Sequence, residues 1–345
     1  MTVETTAEDD RVGAAWRAET DAWIMDRLAE RGIAGTGPVR TVRVRAWSIV
    51  RRLETSAGRM WFKANVPTNG FEAVVVEALA EWVPELVVPP LAVDRHRGWL
   101  LGPDGGTILR EATAERPDPD RWAELLRAYA GLQRAVAPHG DRLVGLGVPD
   151  LRPERMPAVL AGLLADPAVR LAEPHRSALV ALLPEYDHWC ADLAADGLPA
   201  SIQHDDLHDG NVFVDGSRMR FFDWGDAGLA HPFGSLLVAL RVAADQLGAD
   251  PGGPEVARLR DAYLEPWTDL CDRADLLRSV RLALRVARVG RAVSWRRALQ
   301  GAAAPQWQRA LGGPAPIAPE HETAPAAWLE TLTEPDTAPA DAPAG

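Results

Sequence analysis

Apolar residues recur with helical spacing in several long segments of the chain. Residues 10–31 carry them along one helical face, and the glycines of 32–37 end that pattern. Residues 71–83 repeat it until a proline follows. Further helices are predicted over residues 121–136, 157–164, 174–195, 232–247, 254–264 and 276–299. The segment 174–195 contains Pro184, where we expect a kink or a break.

Short runs between the first two helices predict strands. Residues 42–45 and 49–53 alternate in polarity, residues 60–64 form a short apolar run, and residues 99–101 add another strand after the second helix. Later in the chain, two apolar runs flank Asp215-Gly216, a pair typical of a tight turn. We therefore expect a β-hairpin there, between Asn211 and Asp223.

The segment before this hairpin has the richest chemistry in the sequence. It reads His-Asp-Asp-Leu-His-Asp-Gly-Asn over residues 204–211, and it places Asp206 five residues before Asn211. A hairpin brings its outer ends together, so we expect Asn211 and Asp223 to lie within a few ångströms of each other. Carboxylate and carboxamide oxygens are ligands that Mg²⁺ accepts, and Mg²⁺ beside a spare carboxylate suits phosphoryl transfer.

This motif, together with Phe222-Asp223-Trp224, resembles the catalytic and metal-binding motifs of the aminoglycoside phosphotransferase family. The match is specific at these positions and extends loosely over about residues 40 to 300. The resemblance implies an α+β, bilobal protein-kinase-like fold, with a small N-terminal lobe built on an antiparallel sheet and a larger, mostly helical C-terminal lobe. It also implies that Asp206 is the catalytic base and that Asn211 and Asp223 hold Mg²⁺.

Asp205 departs from the family pattern, because many relatives have glycine at this position. Two interpretations are open. The extra carboxylate raises the pKa of its neighbour Asp206, or it points to solvent. We expect the second.

The single lysine of the chain supports the same function. All other members of the 37 lysines and arginines are arginine, and Lys63 lies in a short apolar run that predicts a strand. Kinase-like folds use such a strand lysine to contact nucleotide phosphates, paired with a glutamate of the next helix. Glu72 matches that glutamate best, and Glu77 is the alternative.

Two further nucleotide contacts are predicted from the kinase-like arrangement. Ser48 follows the turn at the place of the phosphate-covering loop, which here contains no glycine. Leu101 ends the strand before the glycine-rich turn 102–106, where the hinge is expected and where adenine would bind the backbone. ATP, or alternatively GTP, is the expected phosphoryl donor.

The predicted organisation has four parts. Residues 1–9 are expected to be disordered, residues 10–102 to form the nucleotide-binding lobe, and residues 103–311 to form the catalytic and acceptor-binding lobe. Residues 312–345 are rich in proline and alanine, and we expect disorder there apart from a short helix near residues 326–332.

Composition and charge exclude several classes. A net charge of −12 argues against a nucleic-acid partner. No apolar stretch is long enough to span a membrane, and two cysteines without a CxxC spacing fit a reducing cytoplasm. No obligate protein partner is evident. An activation segment ending in Ala-Pro-Glu is missing, which argues against a protein kinase.

The acceptor is expected to be a small molecule with a hydroxyl group, such as an aminoglycoside, an amino-sugar or another alcohol. A nucleotide-binding regulator without turnover is the competing interpretation. A polycationic acceptor would favour an acidic pocket, and acidic residues are present at Asp261, Glu265, Asp269 and Asp272. Arginines are present in the same predicted lobe as well, so charge does not decide the acceptor. A row of arginines at helical spacing predicts a solvated face or, alternatively, part of the acceptor pocket, and it comprises Arg278, Arg281, Arg285, Arg288 and Arg291.

Overall fold

The structure is a computed structural model that describes residue 8 and residues 11–334 of the chain. The chain divides into two compact units. Unit 1 comprises Met1–Gly106, Asp223–Gly225 and Trp295–Glu322, and unit 2 comprises Thr107–Phe222, Asp226–Ser294 and Thr323–Gly345. The disorder expected for residues 1–9 concerns a segment that, apart from residue 8, lies outside the described residues.

Regular elements cover most of the described chain. The strands are β1 (Arg40–Val44), β2 (Ser48–Thr55), β3 (Gly58–Asn65), β4 (Ala92–Asp94), β5 (Trp99–Pro103), β6 (Thr107–Ile108), β7 (Asp150–Leu151), β8 (Ser201–Gln203), β9 (Val212–Asp215), β10 (Arg218–Phe221) and β11 (Gly228–Ala230). The helices are α1 (Ala14–Ala29), α2 (Glu72–Trp82), α3 (Leu109–Ala112), α4 (Pro119–Val136), α5 (Gly140–Gly145), α6 (Met156–Ala165), α7 (Glu173–Ala194), α8 (Leu236–Leu247), α9 (Pro254–Leu264), α10 (Arg273–Ala302), α11 (Pro305–Ala310) and α12 (Pro319–Glu330).

Unit 1 is built on an antiparallel sheet with the strand order β1-β2-β3-β5-β4. In β3, Phe62 and Ala64 are completely buried, whereas Lys63 points to the opposite face because side chains alternate along a strand. Val50 on one neighbouring strand and Leu100 on the other lie opposite Lys63 in the ladders. The central strand of the sheet therefore carries the lysine.

An aromatic cluster fixes α1 against the sheet. Trp16 and Trp23 of the helix contact Phe62 and Trp99 edge to face, with ring centroids 5.7–6.1 Å apart. Each such pair contributes about 0.5–1.5 kcal/mol beyond its buried area. The buried face of α1 thus matches the apolar stripe seen in the sequence.

Unit 2 places its long helix α4 against strand β8. The hydroxyl of Tyr129 and the side-chain amide of Gln133 both donate to the carbonyl of Ile202, at 3.0 and 2.8 Å. All three residues are completely buried, so these hydrogen bonds fix the end of β8. The motif of residues 204–211 begins directly after it.

The predicted hairpin is confirmed by the antiparallel pairing of β9 with β10. Val212 pairs with Phe221, and Gly216 in the turn has a φ of 60°, a left-handed conformation that favours glycine. The amide of Phe222 donates to the carbonyl of Asn211 at 3.1 Å, which continues the ladder past the strand ends.

Most predicted helices agree with the structure to within a few residues. Helix α7 does not break at Pro184, because it runs through this residue as one helix. The segment predicted as a helix over 232–247 begins with a 3₁₀ turn, Pro232–Ser235, before α8. Both differences lie at a proline, which lacks the amide that an α-helix interior uses.

The C-terminal part differs from the expected disordered tail. Helix α12 covers Pro319–Glu330 and a 3₁₀ turn covers Thr331–Thr333, so the helix is longer than the short one expected near residues 326–332. Leu329 and Leu332 are buried, and this burial orders a segment whose composition alone indicates disorder. Residues 335–345 lie outside the described part.

Two glycines in helices should respond oppositely to a methyl group. A Cβ on Gly301 would lie 2.6 Å from the Cβ of Val66 and would also overlap Thr68, whereas a Cβ on Gly131 meets nothing within 4 Å. Gly301→Ala should therefore destabilise the protein, and Gly131→Ala should stabilise it by about 0.5–1 kcal/mol through helix propensity.

Denaturant unfolding of the two variants measures this contrast. Equal shifts of the two midpoints in the same direction would contradict the packing around Gly301.

Candidate active site

The loop after β8 is held by hydrogen bonds from its first residue. The amide of His204 donates to the hydroxyl of Tyr129 at 2.8 Å, and its Nε2 donates to the carbonyl of Phe222 at 2.8 Å. His204 is completely buried. It joins helix α4 to the end of the hairpin and so braces the loop.

Asp206 and Asn211 lie side by side at the tip of this loop. The Nδ2 atom of Asn211 donates to the carbonyl of Asp206 at 3.0 Å and is 3.5 Å from its Oδ2. This contact fixes the amide so that the oxygen Oδ1 is the end left for a ligand. The structure therefore brings the predicted base and one predicted metal ligand together within unit 2.

His208 sets the second contact of the Asp206 carboxylate. Its Nδ1 accepts a hydrogen bond from the amide of Gly210 at 2.9 Å, so the ring proton of a neutral His208 is on Nε2. That nitrogen lies 3.5 Å from Oδ2 of Asp206. His208 thus presents a donor to the carboxylate.

The pKa of Asp206 reflects these neighbours. Burial alone would raise it, but the hydrogen bond from His208 and the positive charge of Arg291 outweigh burial and hold the pKa below its ordinary value. About one third of the Asp206 side chain is exposed. The group is therefore ionised at neutral pH and accessible to an incoming hydroxyl.

Asp209 anchors the middle of the loop, a role that the sequence does not reveal. Its Oδ1 accepts hydrogen bonds from Nε of Arg110 and from the side chain of Gln246, both at 3.0 Å. The carboxylate is buried. Because both partners are far away along the chain, no local pattern indicates this contact.

The expectation that Asp205 points to solvent is wrong. The residue is buried and accepts a hydrogen bond from Nε2 of Gln203 at 2.7 Å. Its φ of 63° lies in the left-handed region, which aspartate tolerates better than most residues with a side chain. Burial raises the pKa of Asp205 to about 7, against the charge of Arg291.

In unit 1, Lys63 forms a buried ion cluster with two carboxylates. Its Nζ is 2.6 Å from Oε2 of Glu72 and also contacts Oδ1 of Asp223. The amide of Trp224 donates to Oε1 of Glu72 at 3.0 Å, and Asn65 donates to the other oxygen. The glutamate side chain is 2% exposed and that of the lysine 14%.

The structure thereby distinguishes the two candidate glutamates. Glu72 pairs with Lys63, whereas Glu77 pairs with Arg95 at the surface. Burial alone would lower the pKa of Lys63, but the carboxylates of Asp223 and Glu72 outweigh burial and raise it. The lysine therefore carries its charge at neutral pH.

Asp223 has an uncommon backbone conformation for its residue type. Its φ is 67°, in the left-handed region, and its side chain is one third exposed. The turn that follows is close-packed, because a Cβ on Gly225 would lie 3.3 Å from the carboxylate of Glu72. Strained backbone of this kind is common at functional sites.

Ser48 and Leu101 are less favourably placed for a ligand. Ser48 is buried beside a two-residue turn in which the amide of Arg45 donates to its carbonyl at 2.8 Å. Leu101 is completely buried, and its carbonyl accepts from the amide of Leu91 at 2.8 Å. The predicted phosphate contact of Ser48 and the predicted adenine contact of the backbone near Leu101 both stay predictions.

The predicted metal ligands belong to different units. Asn211 lies in unit 2 and Asp223 in unit 1, so their expected proximity stays a prediction. Their oxygens are the hard donors that Mg²⁺ prefers, which fits the proposed ion. Within residue 8 and residues 11–334, no group of three or more His, Cys, Asp and Glu side chains is arranged to hold a metal.

The arginine row on α10 is not a uniform solvated face. Arg278 is exposed and pairs with Asp275, but Arg288 and Arg291 are buried. The guanidinium of Arg285 lies over the ring of Trp189, 4.5 Å from its centroid. The prediction of a solvated face is therefore wrong for the part of the row nearest Asp206.

The comparison with protein families decides the classification. The model of the phosphotransferase enzyme family (APH) matches residues 78–277, more than half of the chain. The protein belongs to this family. The predicted class of enzyme, a phosphotransferase with an alcohol group as acceptor, is thereby confirmed.

Solved structures of other phosphotransferases share the fold. Aminoglycoside 2'-phosphotransferase-IIIa, solved as its GDP complex, is 13% identical, with 92% of this chain and 98% of that chain covered and a TM-score of 0.58. Amicoumacin kinase hAmiN, solved with AMP-PNP, Ca²⁺ and Ami, is 12% identical over 93% and 98%, with a TM-score of 0.55. The ethanolamine kinase of Plasmodium vivax is 10% identical over 86% and 82%, with a TM-score of 0.56.

These identities are too low to indicate the substrate of this protein. The structural likeness nevertheless confirms the predicted α+β, protein-kinase-like fold class of this phosphotransferase. No curated protein matches its sequence. Of the helices in the described residues, none combines the length and the apolar character needed to cross a membrane.

The buried Asp205 makes a pH-dependent contribution to the stability of the phosphotransferase. Its pKa is about 7 in the folded protein against an ordinary value of 3.8. Between these values the folded state holds a proton that the unfolded chain has lost. The resulting stabilisation is full below the ordinary pKa and is lost as pH rises through about 7.

Asp205→Asn mimics the protonated form and tolerates the same backbone region. The Tm of this variant relative to wild type should therefore rise between about pH 5.5 and about pH 8. Asp215→Asn, in the exposed hairpin turn, is the control and should show no such trend. A pH-independent Tm difference for Asp205→Asn would show that Asp205 does not titrate in this range.

Proposed function

We propose that this phosphotransferase transfers the γ-phosphoryl group of ATP or GTP to a hydroxyl group of a small molecule in the cytoplasm. The observation that carries the proposal is the buried cluster in unit 1. The only lysine of the chain lies there between Glu72 and Asp223. A lysine held by a helix glutamate is the arrangement that kinase-like enzymes use on nucleotide phosphates.

The donor site uses Lys63 as a point charge. Glu72 is almost completely buried and accepts from Lys63, Asn65 and the amide of Trp224, so it cannot move away without leaving several donors unsatisfied. This network fixes the direction of the lysine side chain before a nucleotide binds. Phosphate oxygens would then meet a preorganised ammonium group.

Asn211 and Asp223 would each supply an oxygen to Mg²⁺. When bound, the ion neutralises the negative charge that develops on the phosphoryl oxygens during transfer. The amide of Asn211 is already oriented by its bond to the carbonyl of Asp206, which leaves Oδ1 for the metal.

Asp206 receives the acceptor hydroxyl. Its depressed pKa makes it a weak base, which suits a loose phosphoryl-transfer transition state in which the attacking hydroxyl keeps its proton until late. The main contribution of the carboxylate is then to orient the hydroxyl, and it takes the proton as the new P–O bond forms.

The acidic residues noted in the sequence do not form an open cation site. Glu265 pairs with Arg127, and Asp269 pairs with Arg134. Asp261 lies between Arg260 and Arg273. Asp272 has a different partner, because its Oδ1 accepts a hydrogen bond from the amide of Asp275. Since arginine pairs with three of these four carboxylates, their presence does not favour a polycationic acceptor over a neutral alcohol.

Consumption of ATP and GTP with a panel of hydroxyl compounds tests the proposed function. Amino-sugars, aminoglycosides, macrolides and amino alcohols belong in the panel, with and without Mg²⁺. Asp206→Asn keeps the shape and removes the base, so turnover should fall by about 10²- to 10⁴-fold while nucleotide affinity stays nearly unchanged.

Asp215→Asn makes the same chemical change at an exposed position of the same segment and should retain turnover. Nucleotide binding with no consumption on any acceptor would favour the regulator without turnover. Equal turnover of Asp206→Asn and wild type would remove Asp206 from the mechanism.

Nucleotide affinity tests the role of Lys63 separately. Lys63→Arg keeps the charge but replaces a compact ammonium by a planar fork, and Glu72→Gln weakens the partner that holds the lysine. Both variants should bind nucleotide about tenfold more weakly or worse in calorimetry, because a charge-assisted contact is lost.

Glu77→Gln provides the matched control for Glu72→Gln, since Glu77 lies on the same helix α2 but pairs with Arg95 at the surface instead of with the lysine. It should bind nucleotide like wild type. Unchanged affinity in Lys63→Arg would make Lys63 a structural residue only.

A further inference from the structure

Arg291 is a buried guanidinium beside the loop that carries Asp206. It lies on α10, and its side chain is 8% exposed. Nothing in the catalytic motif indicates this residue, because 86 positions separate it from Asp205 along the chain. Burying an arginine is unfavourable unless acceptors surround it. The groups around the guanidinium therefore indicate its role.

Three carboxylates of unit 2 surround this one cation. Its Nη1 donates to the main-chain carbonyl of Asp205 at 2.8 Å and lies 3.5 Å from the carboxylate of the same residue. The same nitrogen is 3.8 Å from Oδ2 of Asp226, and Nη2 is 3.6 Å from Oδ1 of Asp206. Asp226 is held in turn by the hydroxyl of Ser294 at 3.0 Å.

The contacts divide the two oxygens of Asp206 between separate partners. Oδ1 faces Arg291, whereas Oδ2 faces Nε2 of His208 and the amide of Asn211, both at 3.5 Å. A carboxylate held at both oxygens cannot rotate freely about its χ2 bond. The direction in which it accepts a hydroxyl proton is then set in advance.

The bond to the carbonyl of Asp205 acts on the backbone. Asp205 has a φ of 63°, a conformation that costs free energy for a residue with a side chain. The guanidinium donates to the peptide that joins Asp205 to Asp206, so it holds the strained turn from which the base projects. Arg291 therefore contacts both the backbone and the side chain that place the base.

We propose that Arg291 is a positioning residue for the acceptor-side carboxylate, in that it holds the Asp205-Asp206 turn and one oxygen of Asp206 in the geometry needed for phosphoryl transfer. The inference rests on the proposed function of Asp206. It adds a residue of α10 to a site whose other members come from the loop after β8. Arg291 acts through this turn and this carboxylate, so its role is one of positioning.

Arg288 offers a matched control. It lies on the same helix about one turn earlier, is buried to the same extent, and donates to the carbonyl of Thr331. Arg288→Met and Arg291→Met therefore remove the same group from the same helix at similar burial. They differ in whether the guanidinium reaches the Asp205-Asp206 turn.

Steady-state kinetics of both variants should separate the roles. Arg291→Met should lower kcat by about 10²-fold with the KM for nucleotide unchanged, because displacement of a catalytic group by about 1 Å has an effect of this size. Arg288→Met should keep kcat close to wild type. Free guanidinium should restore part of the activity of Arg291→Met and leave Arg288→Met unchanged. Arg291→Lys keeps the charge but loses the contact through two nitrogens. Its kcat should lie between those of wild type and Arg291→Met.

Crystal structures of the two Met variants provide a measurement that does not depend on activity. The Asp206 side chain should leave its wild-type position in Arg291→Met and keep it in Arg288→Met. An unmoved Asp206, or equal losses of kcat in both variants without guanidinium rescue, would overturn the inference.

If Arg291→Met does not fold, the same comparison is made with Arg291→Lys, and an unmoved Asp206 with wild-type kcat overturns the inference there. Absence of phosphoryl transfer by wild type would instead overturn the proposed function, while the position of Asp206 would still decide the role of Arg291.

Discussion

A positive charge removed from water must be matched by nearby acceptors, and this constraint organises a charged cluster in each of the two units. In unit 1 the buried Lys63 lies 2.6 Å from Glu72 and also contacts Asp223. In unit 2 the buried Arg291 lies among three carboxylates. Removing either cation would leave buried carboxylates uncompensated. The side chains that we assign to chemistry are therefore held by electrostatics before any ligand binds.

Both clusters contain more carboxylates than cations. In the cluster of Arg291, burial raises the pKa of Asp205 to about 7, whereas the hydrogen bond from His208 and the charge of Arg291 hold the pKa of Asp206 below its ordinary value. The carboxylate with no role in accepting a hydroxyl carries the proton, and the one that faces solvent stays ionised. Asp205 thus limits the negative charge beside the base, although the sequence indicated only a solvated neighbour.

Local pattern was sufficient for the elements that depend on neighbours in the chain. The turn at Asp215-Gly216 and the alternation around it predicted the hairpin, and the period of apolar residues predicted the long helices to within a few positions. The unique Lys63 was found because composition made it conspicuous. In each case the physical signal lies within a dozen residues.

Features that depend on distant contacts were missed or misjudged. The burial of Asp205 requires Gln203 and Arg291, and the second of these is 86 positions away. Helix α12 forms in a proline- and alanine-rich segment because Leu329 is buried, which composition does not reveal. The pairing of Glu72 instead of Glu77 depends on which face of α2 meets β3. Sequence periodicity places both glutamates on the helix but not against the lysine.

The stoichiometry of phosphoryl transfer tests the central claim most directly. With an acceptor that supports turnover, mass spectrometry and ³¹P NMR would count phosphate esters formed against nucleotide consumed. We expect one phosphate ester on an acceptor hydroxyl for each nucleotide consumed, and little consumption without acceptor. Nucleotide consumption that is equal with and without acceptor, with inorganic phosphate as the product, would contradict the account.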